Sequence, residues 1–133
     1  MLIDTHAVLC LISALAYHDI TTQIPHSISI TVPRESGPPS LDYPPLVVHR
    51  FSDQAYRAGI EEHEIDGASV KINNVEKTLV DCFKFRNKIG MDVVLEALKL
   101  YKARKKHNYG KLLEYAKICR VDKVIRPYLE MSI

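Results

Sequence analysis

The chain contains no tryptophan, only three phenylalanines and three cysteines, and five glycines that never stand near one another. Isolated glycines exclude the phosphate-cradling loops of nucleotide enzymes, which crowd several glycines into one strand-to-helix turn. Cys10, Cys82 and Cys119 are an odd set at no metal-like spacing, each in an apolar helical context. That excludes a disulfide framework and a zinc site, and points to buried, reduced thiols in a cytoplasmic protein. His18, His26, His49 and His63 are scattered, with no Cys-x-x-Cys beside them, so no metal set is read. Ser13 and His18 make no triad, because nothing around Ser13 marks a strained nucleophile elbow. The apolar or small run over residues 7–16 is too short for a bilayer, which needs about 20 residues. Positive charge is missing early as well: the first cation is Arg34, and Asp4 sits where a secretory leader would be basic. No membrane or secretory role is expected.

What is present is ordinary in bulk and uneven in distribution. Hydrophobic residues make 47% and charged residues 26% of the 133 positions, the balance of one globular domain able to bury a core. Residues 1–66 hold three Lys or Arg against nine Asp or Glu, whereas residues 67–133 hold fifteen against seven. An acidic half joined to a basic half points to a C-terminal surface facing a polyanion or an acidic partner. The competing explanation is that helices carry Lys and Arg for solubility alone.

Periodicity supplies the elements. Residues 3–18 read as a helix, with Val8, Leu11, Ile12 and Leu15 on one face. Residues 27–32 alternate polar positions with Ile28, Ile30 and Val32, the pattern of a half-buried strand. Residues 33–45 contain five of the seven prolines and read as a surface loop or arm. A second strand follows over 46–51, then a short helix capped by Ser52 and closed by Gly59. Asp66-Gly67 suits a tight type I′ turn and predicts a hairpin between residues 60–65 and 68–72.

Two helices occupy residues 76–98. Asn73 or Asn74 caps the first, whose apolar stripe is Val75, Leu79, Cys82 and Phe83, and Gly90 stops it. Asp92 is expected to cap the second, with Val94, Leu95, Leu98 and Tyr101 inward, and Lys77, Lys84, Arg86 and Lys88 mostly turned to water. A third helix follows Asn108 with Tyr109, Leu112, Leu113 and Ala116 inward. Asp122 is expected to cap a last helix that Pro127 should shorten or kink. The expected fold is α+β: a small, mainly antiparallel sheet of about four strands packed with N-terminal and C-terminal helices.

Two constellations carry candidate chemistry. Glu62, Glu64 and Asp66, near Glu61 and Lys71, share one strand parity and raise the idea of a metal-dependent nuclease. Their spacing assembles no defined ligand set, so no catalytic residue, metal or cofactor is assigned. The basic constellation is denser. Lys84, Arg86 and Lys88 close the central helix, Lys102, Arg104, Lys105 and Lys106 follow the next, and Lys117, Arg120, Lys123 and Arg126 surround the last turn. Helix dipoles favour such charges by about 0.3–1 kcal/mol, which explains some of them. With Tyr101 and Tyr109 nearby, the set suits phosphate contacts or an acidic protein surface, without a recognition helix for base readout. Lys77 and Asp81, spaced i,i+4, are expected to pair on the helix surface for about 0.2–0.5 kcal/mol.

The string Lys77-Thr78, Asp81, Phe83-Lys84-Phe85-Arg86, Lys88-Ile89-Gly90 and Asp92 resembles the core motif of the AbiEi family, antitoxins and transcriptional repressors of type IV toxin–antitoxin systems. The likeness extends to residues 9–18 with Thr21-Thr22-Gln23 and Pro25, to Tyr115-Ala116 and residues 118–121, and to residues 126–129. It covers roughly residues 9–130. It implies one antitoxin domain over residues 1–133, corresponding to the second domain of that family without the winged helix that normally precedes it. It also implies a nucleotidyltransferase-like toxin as partner, operator DNA as a second partner, and a scaffold role for Lys77, Thr78 and Asp81. The alternative is a stand-alone protein-interaction module that binds no DNA.

Overall fold

The computed structural model describes residues 7–33 and 45–131. The alternation of Ile28, Ile30 and Val32 forms a strand, β2 (Ile28–Val32), and β1 (Val8–Leu9), β3 (Leu46–Arg50), β4 (Ile60–Ile65) and β5 (Ala68–Asn73) complete one sheet in the order β3-β2-β1-β5-β4. β1 is only two residues long, yet it joins the halves: it runs antiparallel to β2 and parallel to β5. β3 lies parallel to β2, while β4 and β5 are the expected antiparallel hairpin. The class is α+β, but among the described residues the sheet has five strands and is mixed, where about four mainly antiparallel strands were expected. Part of the expected N-terminal helix is β1 instead. Its residues lie in a continuous apolar run, where a short strand and a helix leave the same trace.

Register divides the sheet into two faces. Leu9 lies opposite Ile30, and Ile30 opposite Val48, so these three share a face with Ile28, Val32 and Leu46 and form a small apolar cluster with Ala7. Val8 points the other way and enters the main core, built largely from helices. Among the described residues these are α1 (Leu11–Tyr17), α2 (Asp53–Arg57), α3 (Val75–Lys84), α4 (Arg86–Ile89), α5 (Met91–Lys102), α6 (Tyr109–Ile118) and α7 (Asp122–Glu130). Residues 3–6 of the expected first helix and most of the proline-rich segment lie outside the described residues. No helix among the described residues is long and apolar enough to cross a membrane.

Local signals place most ends. Ser52, Asn74 and Asn108 each accept an N–H from three residues on, from Ala55, Lys77 and Lys111. Asp66 and Gly67 both have positive φ, as a type I′ turn requires. Three expectations fail. α3 stops at Lys84 rather than at Gly90, because Phe85 leaves helical geometry before α4 begins. Gly90, at φ 104°, is the residue preceding α5, and Asp92 sits inside the first turn. Val121, not Asp122, precedes α7, and no side chain caps it. Pro127 lies inside α7, as expected, where Lys123 and Arg126 are exposed and water can take the carbonyl freed by its missing N–H.

α3 sits at the centre of this packing. Its seven residues 77–83 are all buried, so it has no water-facing side along that length. Close approach depends on Gly59 (φ 72°), whose carbonyl accepts the Asn74 N–H at 2.8 Å. A Cβ on Gly59 would lie 2.5 Å from Lys77 Cβ, whereas one on Gly67 (φ 80°) would meet nothing. Both Gly→Ala changes incur backbone strain of about 1–3 kcal/mol. Gly59→Ala is therefore expected to lower stability clearly more than Gly67→Ala, as read from denaturant midpoints at constant m.

Candidate nucleic-acid interface and the ion pair beneath it

Lys77 and Asp81 are the two charges that helical spacing puts on one side of α3, and that side is buried: their side chains are 0% and 1% exposed. Lys77 Nζ donates to Asp81 Oδ2 at 2.5 Å and lies 4.7 Å from the centre of the Phe51 ring. Asn73 Nδ2 donates to the same carboxylate oxygen at 3.3 Å, and Cys119 Sγ contacts the other at 3.6 Å. Burial pushes the Asp81 carboxyl above the usual carboxylate range, and the Lys77 ammonium and the Cys119 thiol oppose that shift. Thr78 Oγ1 donates to the Asn74 carbonyl at 2.7 Å and the Asn73 carbonyl at 3.3 Å, fixing the β5–α3 turn. The pair thus joins β5, α3 and the end of α6. It is no surface pair worth a few tenths of a kcal/mol, and Lys77 is not turned to water.

Two groups stand out among the other cations. Four bond carbonyls at helix ends, three of them on helices distant in sequence. Lys84 donates to the Cys119 carbonyl at 3.0 Å, where α6 ends, and Lys102 to the carbonyls of Tyr128, Leu129 and Met131, where α7 ends. Arg104 donates to the His18 carbonyl at 3.2 Å, where α1 ends, and Arg86 to the Phe83 carbonyl at 2.8 Å near the end of α3. Each meets carbonyls that the helix leaves unpaired and the negative end of its dipole. Lys88 lies over the Phe85 ring at 5.9 Å. The second group is Lys105, Lys106, Lys117, Arg120, Lys123 and Arg126, all exposed and with no side-chain hydrogen bond or ion pair among the described residues.

Contacts locate this group. Lys84, bonded to residue 119, stands beside Arg120, and Lys102, bonded to the end of α7, precedes the 103–108 connection. α7 runs between these corners with Val124, Ile125, Tyr128 and Leu129 inward and Lys123 and Arg126 outward. Arg120 itself has φ 61° in the turn between α6 and α7, where Val121 N–H reaches the Ala116 carbonyl at 2.8 Å. That is the left-handed position past a helix end that glycine fills without strain. An exposed arginine held there, with no partner of its own, motivates a functional reading.

Tyr101 does not belong to this surface. It is fully buried, its hydroxyl donates to Glu76 at 2.8 Å and accepts the Asn108 N–H at 2.7 Å, and burial together with the Glu76 bond pushes its phenol well above the usual tyrosine range. Tyr109, expected inward, is 38% exposed. On the hairpin, Glu61, Glu62, Glu64 and Asp66 are exposed; Glu61 contacts His63 and Glu62 accepts from Ser69. Among the described residues no group of three or more His, Cys, Asp or Glu is placed to hold a metal ion. All three cysteines are free and buried, and burial raises their thiols. No protein-family model matches the chain, and no curated protein does either.

Two variants test the pair. Lys77→Met and Asp81→Leu are each expected to destabilise by about 3–5 kcal/mol, since each strands a buried charge, while the double change costs far less than their sum. Urea unfolding of the three variants measures this; additive costs would mean the charges are solvated apart.

Histidine titration gives a second check. Burial lowers His18, whose Nε2–H donates to the Asn73 carbonyl at 2.7 Å; that carbonyl and Glu61 oppose the shift, and His63 and Arg104 add to it. Burial and Lys88 lower His49. A depressed folded pKa makes the contribution full above the unfolded value of about 6.5 and lost as pH falls through the folded one. Stability is therefore expected to decline from pH ~7.5 to ~5.5, less steeply in His18→Gln and His49→Gln.

Proposed function

We propose that this chain is an AbiEi-like antitoxin domain that counteracts a nucleotidyltransferase-like toxin and contributes to autoregulation through a basic, nucleic-acid-facing surface. It acts by binding and carries out no catalytic step. The observation that carries the reading is the set of exposed cations, Lys105, Lys106, Arg120, Lys123 and Arg126, with no partner among the described residues, one of them at positive φ. Lys84 and Arg104 adjoin that set through the Cys119 carbonyl and the chain, while Arg86 bonds the end of α3 and Lys88 lies over the Phe85 ring. Lys77, Thr78 and Asp81, the motif positions of the resemblance, act as scaffold beneath it. A cytoplasmic setting accords with the three free thiols.

The second reading, a protein-interaction module without DNA binding, draws on the same geometry, since Lys84, Arg86 and Arg104 have structural bonds of their own. Duplex-DNA titration over a salt series separates the two. Binding is expected to weaken with salt, with a log–log slope reduced by about 0.9 for each phosphate contact removed by Lys105→Ala, Lys106→Ala, Lys123→Ala or Arg126→Ala. Arg120→Gly is the sharpest variant: it relieves left-handed strain, so stability stays within about 1 kcal/mol of the parent or rises, while DNA affinity drops. Salt-independent binding, or full affinity in all five variants, would refute the DNA-facing reading.

A further inference from the structure

We infer that the end of the α5–α6 connection with the first turn of α6, residues 104–111, is a docking loop for unpaired nucleotides, in which His107 and Tyr109 stack a base and Lys105 and Lys106 meet its flanking phosphates. This deepens, and rests on, the nucleic-acid reading of the basic surface. His107 and Tyr109 are both exposed, with ring centres 5.0 Å apart and planes inclined by 30°. Both rings abut buried Tyr101, His107 at 5.8 Å and 60° and Tyr109 at 6.0 Å and 88°. The Tyr101 hydroxyl accepts the Asn108 N–H at 2.7 Å, and Asn108 Oδ1 accepts the Lys111 N–H at 3.0 Å. The loop between the two rings is therefore fixed from beneath by a core residue and from within by a cap, so little ordering cost remains when a ligand arrives.

An exposed π-face beside unpartnered ammonium groups fits single-stranded nucleic acid better than duplex. A base inside a duplex has both faces covered by its neighbours and offers only edges and phosphates, whereas an unpaired base presents a face for stacking. Sequence tolerance is expected, because every base has such a face and nothing in the loop reads base edges. DNA and RNA single strands share this chemistry.

The test titrates the full chain with oligo-dT, oligo-U and a DNA duplex of equal length at one salt concentration, alongside Tyr109→Leu, Tyr109→Phe and His107→Leu. Tyr109→Leu is expected to weaken both single strands by about 5- to 100-fold while leaving duplex affinity and the thermal midpoint near parental values. Tyr109→Phe should retain binding, and His107→Leu should repeat the loss should Tyr109→Leu fold poorly. Duplex binding with no loss of single-strand affinity in either leucine variant would overturn the stacking loop and leave the basic-surface reading standing. Absence of binding to all three probes would overturn both. The relative affinities for oligo-dT and oligo-U identify which kind of strand the loop prefers.

Discussion

A lysine and an aspartate one helical turn apart, both removed from water, form the constraint on which the rest of this molecule depends. Taking two charges out of water is costly, and their attraction offsets that cost only with good geometry and further hydrogen bonds. Here Asn73 from β5 and Cys119 at the end of α6 complete the carboxylate's surroundings, and the Phe51 ring receives the ammonium. Each partner comes from a different element, so the charges are satisfied only when strand, central helix and C-terminal helices have assembled in one arrangement. Gly59 belongs to the same constraint, since any side chain there would strike Lys77. The centre of α3 works as a polar lock inside an apolar core.

From that centre outward, cationic residues do two kinds of work. Lys84, Arg86, Lys102 and Arg104 reach carbonyls at the ends of helices and tie α1, α3, α6 and α7 together. Others, along the outside of α7 and in the loop after α5, project into solvent. A high count of Lys and Arg is thus not by itself a count of binding residues. Cations left over once the helix ends are satisfied, Arg120 among them where glycine would be easier, are the ones free to meet a partner.

Features written within a few residues of one another were legible in the sequence. Ser52, Asn74 and Asn108 announce their helices, Asp66-Gly67 announces the hairpin, and the alternation of Ile28, Ile30 and Val32 announces β2. What could not be read depends on partners far along the chain. The apolar stretch at Val8 and Leu9 becomes a strand only because β2 and β5 flank it. Lys77 looks like a surface residue until Gly59 and Phe51 close over it. Lys84 and Arg104 look like binding residues until the carbonyls 35 and 86 positions away are seen. The break at Phe85 has a tertiary setting too, since its ring packs on Phe51 and His49 rather than continuing the α3 stripe. In the candidate surface the residue types and their clustering were visible beforehand; their division between helix ends and solvent was not.

The most direct test of this account is heteronuclear NMR of the lysine ammonium groups. A buried, hydrogen-bonded Lys77 predicts one ammonium resonance that exchanges slowly with water, couples to the Asp81 carboxylate and persists in urea until the whole chain unfolds. A Lys77 resonance exchanging as fast as those of Lys105 and Lys106 would contradict the claim that this ion pair is the sealed centre of the fold.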